Sequence, residues 1–290
     1  MNGVEERAAA MPVEECESRV AGHRMRYLRA GSGPAVVLLH GLMGYSFSFR
    51  FNIPELAKHF TVYAPDMLGI GFSDRPPHLD YSLRANAERI LEWLDLISVS
   101  SLNLLGTSHG GGVATTVAAL AVDNRAPRIE RLMLVAAINP WSAIGKKRVA
   151  LLSTAIGTGV FRRSFPHLLA VHSFFLKRMY GDPRRVTSET LEGYAAPLAQ
   201  HGGADYGLGV VRTWVDDVQC LQSMYPKLHG IPTLLIWGDR DVAVSPASAH
   251  KLHEALPGSE LVMLSGIGHL PYEECPDHFN RILLEFLQRH

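Results

Sequence analysis

The chain has 290 residues, of which 47 % are hydrophobic and 19 % are charged. This composition supports a large buried core and excludes an intrinsically disordered chain, and the length fits one α/β core with an inserted subdomain. Lys plus Arg and Asp plus Glu each number 28. Such a balance gives no indication of binding to nucleic acid or to a membrane surface.

The cysteines and the N-terminus indicate the compartment. Cys16, Cys220 and Cys275 are far apart and form no CxxC pair, so they predict neither a disulfide framework nor a zinc site. Five glutamates within residues 1–17, with no apolar run after Met1, do not fit a signal peptide. The apolar stretches are too short to span a bilayer. We therefore expect a cytoplasmic protein without membrane contact, whose residues 1–17 form a flexible tail.

Short apolar runs that end in turn residues recur along the chain and predict strands. They cover residues 23–28, 35–39, 61–64, 102–105, 131–135, 233–237 and 260–264. Helical patterns cover residues 85–96, 112–122, 246–256 and 277–288. The alternation predicts an α/β fold with a mostly parallel sheet that is covered by helices on both faces. Functional residues are then expected at the carboxyl ends of the strands.

Residues 140–229 interrupt this alternation. They contain ten of the aromatic residues together with helical segments that are broken by Gly and Pro. We interpret them as a helical cap that is inserted over the active site. The α/β core is then expected to consist of residues 18–139 and 230–290.

Ser108 is the candidate nucleophile. It lies in Gly106-Thr107-Ser108-His109-Gly110, between a buried strand and a helical run. This is the G-x-S-x-G pattern in the strand–turn–helix context that its mechanics require. The glycines allow a tight turn, and the helix N-terminus behind Ser108 offers N–H groups to developing negative charge.

A serine nucleophile needs a base and an orienting carboxylate. His269 lies in the loop after the last predicted strand, and Asp239 and Asp241 both follow the strand over residues 233–237. From the residues alone, either aspartate could serve. The order Ser, Asp, His along the chain is the order found in the triads of α/β-hydrolases.

The loop His40-Gly41-Leu42-Met43-Gly44 follows another predicted strand. Backbone N–H groups of Leu42 and His109 are candidates for an oxyanion hole. For the His40 side chain we favour a structural role that braces the loop.

Together these motifs resemble the capped α/β-hydrolase superfamily over residues 20–290. The resemblance rests on His40-Gly41, on residues 65–73 (PDMLGIGFS), on residues 106–110, on Gly238-Asp239-Arg240-Asp241, and on Gly268-His269 with Glu273 and Pro276 behind it. In similar proteins the acid is the last residue of a G-x-x-D pattern. The resemblance therefore implies Asp241 and makes Asp239 a turn residue.

The resemblance also separates subfamilies. Haloalkane dehalogenases and epoxide hydrolases of this fold use an Asp nucleophile, whereas this chain has Ser108. Carbon–carbon bond hydrolases use Ser, but usually have Trp after the catalytic His and a small apolar residue after the nucleophile; here Leu270 and His109 occupy these positions. Perhydrolases are similar as well, and no residue singles them out. His109 is common in lipases and esterases, so the resemblance implies a carboxylic-ester hydrolase.

The expected substrate is a small to medium apolar ester that is cleaved through an acyl-enzyme, with no metal or organic cofactor. A pocket is expected between the cap aromatics and the loop over residues 45–51. Its candidate lining residues are Met43, Phe47, Trp141, Phe174, Trp214 and Leu270. Two alternatives stay open: hydrolysis of a carbon–carbon, lactone or amide bond by the same triad, and a non-catalytic ligand-binding protein on this fold.

Overall fold

The structure, a computed structural model, describes residues 12–142, 154–198, 200 and 202–289. Residues 1–11 of the predicted tail, residues 143–153, 199 and 201 of the predicted cap and residue 290 of the predicted core lie outside the described residues.

Eight strands form one sheet with the order β1-β2-β4-β3-β5-β6-β7-β8. Their bounds are β1 Val13–Val20, β2 His23–Ala30, β3 Ala35–Leu39, β4 Thr61–Pro65, β5 Ser101–Thr107, β6 Arg128–Val135, β7 Thr233–Gly238 and β8 Glu260–Leu264. The six strands from β4 to β8 in the sheet are parallel to each other, whereas β2 is antiparallel to both β1 and β4. The prediction of a mostly parallel sheet is confirmed.

Helices fill the connections between the strands. They are α1 Ile53–Leu56, α2 Leu83–Leu96, α3 His109–Asn124, α4 Ala155–Met179, α5 Ser188–Leu198, α6 Gly203–Met224, α7 Pro246–Ala255, α8 Pro271–Glu274 and α9 Pro276–Leu287. Helices α2 and α9 show how they begin. The Ser82 side chain accepts a hydrogen bond from the N–H of Ala85 before α2, and Pro276 takes the first position of α9, where a missing N–H is tolerated.

The core has two layers because neighbouring side chains of a buried strand point to opposite faces of the sheet. In β7, Leu235 and Trp237 pack with α2, α3 and α7 on one face. Leu234 and Ile236 pack with α1 and α9 on the other face. All four side chains are almost completely buried, as is typical of a parallel strand that is covered on both sides.

The prediction of a flexible tail is wrong for residues 13–17. They belong to β1, which pairs with β2 along its whole length, from Val13 opposite Ala30 to Val20 opposite His23. The glutamates of this strand lie opposite or near arginines of β2. They form three ion pairs, Glu14–Arg29, Glu15–Arg26 and Glu17–Arg24. Since exposed ion pairs contribute little, the backbone ladder is what holds this edge strand.

Helices α4, α5 and α6 lie between β6 and β7 and form what we call the helical insertion, residues 154–228. It contacts the loops at the carboxyl edge of the sheet. The Tyr45 hydroxyl donates a hydrogen bond to the carbonyl of Gly193 in α5 at 2.8 Å. At the end of α4, the carbonyl of Met179 accepts a hydrogen bond from the N–H of His269. The insertion is therefore attached to the loops that carry the candidate catalytic residues.

Candidate active site

Ser108 occupies a sharp turn between β5 and α3. Its backbone has φ 51° and ψ −118°, a conformation that is strained for any residue other than glycine. The turn is fixed from both sides: the N–H of Ser108 donates to the carbonyl of Val135 at 2.9 Å, and its carbonyl accepts from the N–H groups of Gly111 and Ile138 at 3.0 Å. This arrangement holds the serine at the carboxyl end of a central strand.

The glycines on either side of Ser108 are required by close backbone packing. A Cβ atom at Gly106 would lie 2.2 Å from the carbonyl oxygen of Gly110, and one at Gly110 would lie 2.3 Å from the carbonyl oxygen of His40. Neither distance is possible between real atoms. The two glycines therefore allow α3 and the loop after β3 to close around the turn.

His269 and Asp241 form a buried pair. The Nδ1 atom of His269 lies 2.8 Å from Oδ2 of Asp241, and both residues are 6 % exposed. The other carboxylate oxygen, Oδ1, accepts hydrogen bonds from the N–H groups of Ala243 at 2.7 Å and Val244 at 2.9 Å. Because the carboxylate is held as an acceptor on both oxygens, Nδ1 of His269 is the donor and Nε2 is left to act as a base.

Asp239 has a different position. It is exposed, and its Oδ1 accepts a hydrogen bond from the N–H of Gly266 at 2.7 Å. It thus ties the loop after β7 to the loop after β8. Of the two aspartates that the residues alone left open, Asp241 is the one in contact with His269.

The loop after β3 is braced by His40. This side chain is completely buried, and its Nε2 accepts a hydrogen bond from the N–H of Met67 at 3.0 Å. Its Nδ1 therefore carries the proton and donates it to the carbonyl of Gly41 at 2.9 Å. Burial lowers the pKa of His40, which keeps the ring neutral. These bonds fix the backbone of Gly41, where a Cβ atom would lie 3.1 Å from Cβ of Ser108.

His109 is the first residue of α3, so its N–H has no acceptor within the helix. Its side chain is 1 % exposed and stacks on Trp214 of the insertion, with ring centroids 6.2 Å apart and an angle of 20°. Burial lowers the pKa of His109 to about 3. The imidazole is therefore neutral at physiological pH.

Glu273 joins the insertion to the core. Its carboxylate is buried and accepts hydrogen bonds from the hydroxyls of Tyr180, at 2.7 Å, and Tyr194. Arg50 lies 3.2 Å from the same carboxylate and also donates to Thr190 in α5 at 2.8 Å. Burial beside this carboxylate raises the pKa of both tyrosines, so they remain donors. The motif around His269 includes Glu273, but the sequence alone assigned no role to this residue.

Glu274 positions the loop that carries His269. It accepts hydrogen bonds from the N–H groups of Gly181 and Asp182, both at 2.9 Å, and from the N–H of Gly268 at 2.7 Å. The residue next to His269 is thus connected to the end of α4 through one buried carboxylate. Sequence reasoning missed Glu274, because no motif distinguishes it from other glutamates.

The candidate pocket residues are only partly brought together. Met43 and Trp214 pack against one apolar cluster that contains Ile70, Tyr81, Tyr206 and Val210. Leu270 is buried in the core layer that contains α9. Phe47 packs on α5, where a Cβ atom at Gly193 would lie 2.1 Å from its ring, and Trp141 stacks on Tyr225 at 6.0 Å.

The expectation for Phe174 needs correction. This side chain is 58 % exposed and lies edge-to-face against Phe175, with the guanidinium of Arg178 over its ring. It therefore lies on the outer surface of α4. An aromatic residue type in a helical segment does not reveal which face of the helix will be buried.

Within the described ranges, no cluster of three or more His, Cys, Asp or Glu side chains could hold a metal ion. The helices in the same ranges include none with the length and apolar character needed to cross a membrane.

Comparison with known proteins places this geometry in a family. The family model described as "alpha/beta hydrolase fold" matches residues 34–276, and the chain belongs to this family. An uncharacterised protein of Mycobacterium tuberculosis (strain ATCC 25618 / H37Rv) is 30 % identical over 298 residues, which cover 92 % of this chain and 79 % of the relative. Haloalkane dehalogenase 2 of the same strain is 28 % identical over 275 residues, covering 90 % and 91 %.

Among solved structures, an epoxide hydrolase without ligand (CorEH) superposes with a TM-score of 0.81 at 23 % identity, covering 95 % of this chain and 99 % of that one. This likeness shows the fold. One of these similar proteins is named a haloalkane dehalogenase and another an epoxide hydrolase. The comparisons therefore identify a hydrolase of the α/β-hydrolase superfamily but do not identify its substrate.

Proposed function

We propose that this protein is a serine hydrolase that cleaves carboxylic esters through an acyl-enzyme. The observation that carries the proposal is the combination of Ser108 on a strained strand-to-helix turn with the buried His269–Asp241 pair. The three residues follow β5, β7 and β8, whose carboxyl ends lie at one edge of the sheet. A serine at this turn also distinguishes the chain from hydrolases of this fold that use an Asp nucleophile.

In the proposed mechanism, Oγ of Ser108 attacks the ester carbonyl while Nε2 of His269 accepts the hydroxyl proton. Asp241 keeps the proton of His269 on Nδ1 and stabilises the imidazolium as it forms. The tetrahedral intermediate then collapses, and His269 gives its proton to the departing alcohol oxygen. A water molecule releases the acid from the acyl-enzyme by the same route, which regenerates Ser108.

The backbone N–H groups of Leu42 and His109 are proposed to bind the oxyanion. His109 has an N–H at a helix N-terminus, and His40 and Gly41 hold the facing loop close to Ser108. Donors of this kind typically contribute about 10²- to 10³-fold in rate each. In this proposal the helical insertion acts as a cap that covers the ester, and its apolar contacts with Met43 favour an apolar substrate.

The test is hydrolysis of p-nitrophenyl butyrate, together with labelling by a fluorophosphonate that reacts with activated serines. We expect turnover by the native protein and one adduct on Ser108, and loss of both in Ser108→Ala. Ser98→Ala is a matched control, because Ser98 also has a positive φ of 58° but follows α2. It should leave both readouts unchanged.

Ester turnover that survives in Ser108→Ala would refute the mechanism. Cleavage of a vinylogous diketone by native protein that does not cleave the ester would indicate a carbon–carbon bond hydrolase instead. Failure of the probe to label folded protein would indicate a non-catalytic binding protein.

A further inference from the structure

Among the buried polar atoms that have no hydrogen-bond partner in the described part of the chain, four belong to His109 and to two residues of α6. They are Nδ1 and Nε2 of His109, the hydroxyl oxygen of Tyr206 and Nε1 of Trp214. His109 is 1 % exposed and Tyr206 is completely buried. Buried hydroxyl, indole and imidazole groups are normally paired in native proteins, so each exception requires an explanation.

The residues that carry these atoms are linked by side-chain contacts that begin next to the nucleophile. His109 follows Ser108 directly, and its ring stacks on Trp214. Trp214 packs against the cluster that contains Tyr206, as do Leu42 and Met43 from the loop after β3. The unpaired groups are therefore next to the loop whose N–H is proposed to bind the oxyanion.

Two other buried tyrosines of the insertion have partners within the protein. The hydroxyl of Tyr180 donates to Glu273, and the hydroxyl of Tyr194 donates to Glu273 and accepts from the hydroxyl of Ser48. The hydroxyl groups of these two buried tyrosines are thus paired within the protein. Because Tyr206 has no such partner among the described residues, its hydroxyl is available to a group that is not part of the protein.

The surroundings restrict the chemistry of that partner. The region combines apolar contacts from Ile70, Val210 and Met43 with three potential donors, one on each of His109, Tyr206 and Trp214. Burial lowers the pKa of His109 to about 3 because a charge is disfavoured here. The same desolvation would disfavour a carboxylate, so an uncharged oxygen fits these donors best.

We propose that His109, Tyr206 and Trp214 form a polar subsite that binds an uncharged hydroxyl or carbonyl oxygen of the substrate, distinct from the carbonyl that Ser108 attacks. The inference rests on the proposed ester hydrolysis, since it adds a second recognised group to an otherwise apolar ester. The favoured substrate is then an oxo- or hydroxy-substituted ester.

The test compares esters that differ by one oxygen. One series is p-nitrophenyl hexanoate with its 4-oxo and 5-oxo derivatives, and the other is hexyl acetate with 4-oxohexyl and 5-oxohexyl acetate. These series cover the acyl and the alcohol side. We expect native protein to prefer one oxo ester over its parent in kcat/KM by about 10-fold, the effect of one or two hydrogen bonds between neutral groups.

Tyr206→Phe removes only the hydroxyl and should lower this preference about 5-fold. Tyr225→Phe is the matched control, because Tyr225 is also buried but stacks on Trp141. It should leave the preference unchanged. Equal preference for parent and oxo esters in both series, or equal effects of the two substitutions, would overturn the subsite.

A binding measurement separates this inference from the proposed function. Dissociation constants of the same esters are measured by titration calorimetry with Ser108→Ala, alone and combined with Tyr206→Phe, so that no turnover is needed. A preference for one oxo ester that depends on Tyr206 supports the subsite even if native protein hydrolyses no ester. Turnover without any such preference in binding or kcat/KM would leave the ester hydrolase and refute the subsite.

Discussion

Asp241→Asn tests the proposed roles of the buried pair directly. The asparagine can keep its oxygen on the N–H groups of Ala243 and Val244, which bind Oδ1 at 2.7 and 2.9 Å. Its NH₂ group then faces Nδ1 of His269, which lies 2.8 Å from Oδ2 in the native protein. Since two donors cannot share this contact, His269 must move its proton to Nε2 and can no longer accept the proton of Ser108.

The expected loss in kcat is about 10⁴-fold, the size of effect that a wrong histidine tautomer causes in serine hydrolases. This corresponds to roughly 5.5 kcal/mol in the activation barrier. The assay is steady-state hydrolysis of p-nitrophenyl butyrate, with the thermal midpoint measured in parallel to show that the variant is folded. Asp239→Asn is the matched control and should stay within about 3-fold of native, because Asp239 is exposed and an asparagine oxygen can still accept the hydrogen bond from the N–H of Gly266. A loss below 10-fold in folded Asp241→Asn, or equal losses in both variants, would refute the assigned role of Asp241.

Three further predictions concern stability. Glu273→Gln leaves the partly buried Arg50 without its counter-ion and should lower the free energy of unfolding by about 3 kcal/mol. Glu55→Gln, at the exposed pair with Lys58, should cost less than about 1 kcal/mol. Equal effects in urea unfolding would contradict the structural role of Glu273. Gly110→Ala places a Cβ atom 2.3 Å from the carbonyl oxygen of His40, so it should abolish esterase activity and lower the thermal midpoint. The control is Gly159→Ala, which adds a Cβ atom in open space on a helix. It should be neutral or stabilising by up to about 1 kcal/mol. His109 has a pKa of about 3 in the folded protein and an ordinary value of 6.5 when unfolded, so the unfolded state binds one more proton between these values and stability falls as the pH falls through this window. His109→Phe should make the decline between pH 6 and pH 4 shallower by up to about 1.4 kcal/mol per pH unit, and an unchanged slope in chemical unfolding would show that His109 titrates normally.

Much of the fold could be predicted because buried parallel strands have a strong sequence signal. The runs at β3 and β8 were predicted with the bounds that the structure shows, and β7 differs by the single residue Gly238. The edge strand β1 was missed because its residues are mostly exposed, so no apolar pattern marks them. Its pairing depends on the complementary strand β2, which is information that a local pattern does not contain.

The candidate catalytic residues could be predicted from the sequence for a related reason. Ser108, Asp241 and His269 each follow a strand with a clear apolar pattern, and the sheet order brings the carboxyl ends of those strands to one edge. The residues that line the pocket were harder to predict, because they depend on how α4, α5 and α6 are oriented about their axes. Phe174 shows the limit, since its residue type indicated burial but its position on α4 exposes it.

The residues proposed to carry out the reaction and those proposed to select the substrate lie on different elements of the fold. The hydrogen bonds proposed to serve the reaction are made by backbone groups and by the carboxylate of Asp241. The turn at Ser108 and the loops after β3 and β7 hold these groups in place. The groups proposed to distinguish substrates come from two separate parts of the chain, His109 on α3 and the residues of α6 that pack above it. A change in α6 can therefore alter which ester is bound while the His269–Asp241 pair stays intact. A family match over residues 34–276 therefore identifies a hydrolase of this superfamily but does not identify its substrate.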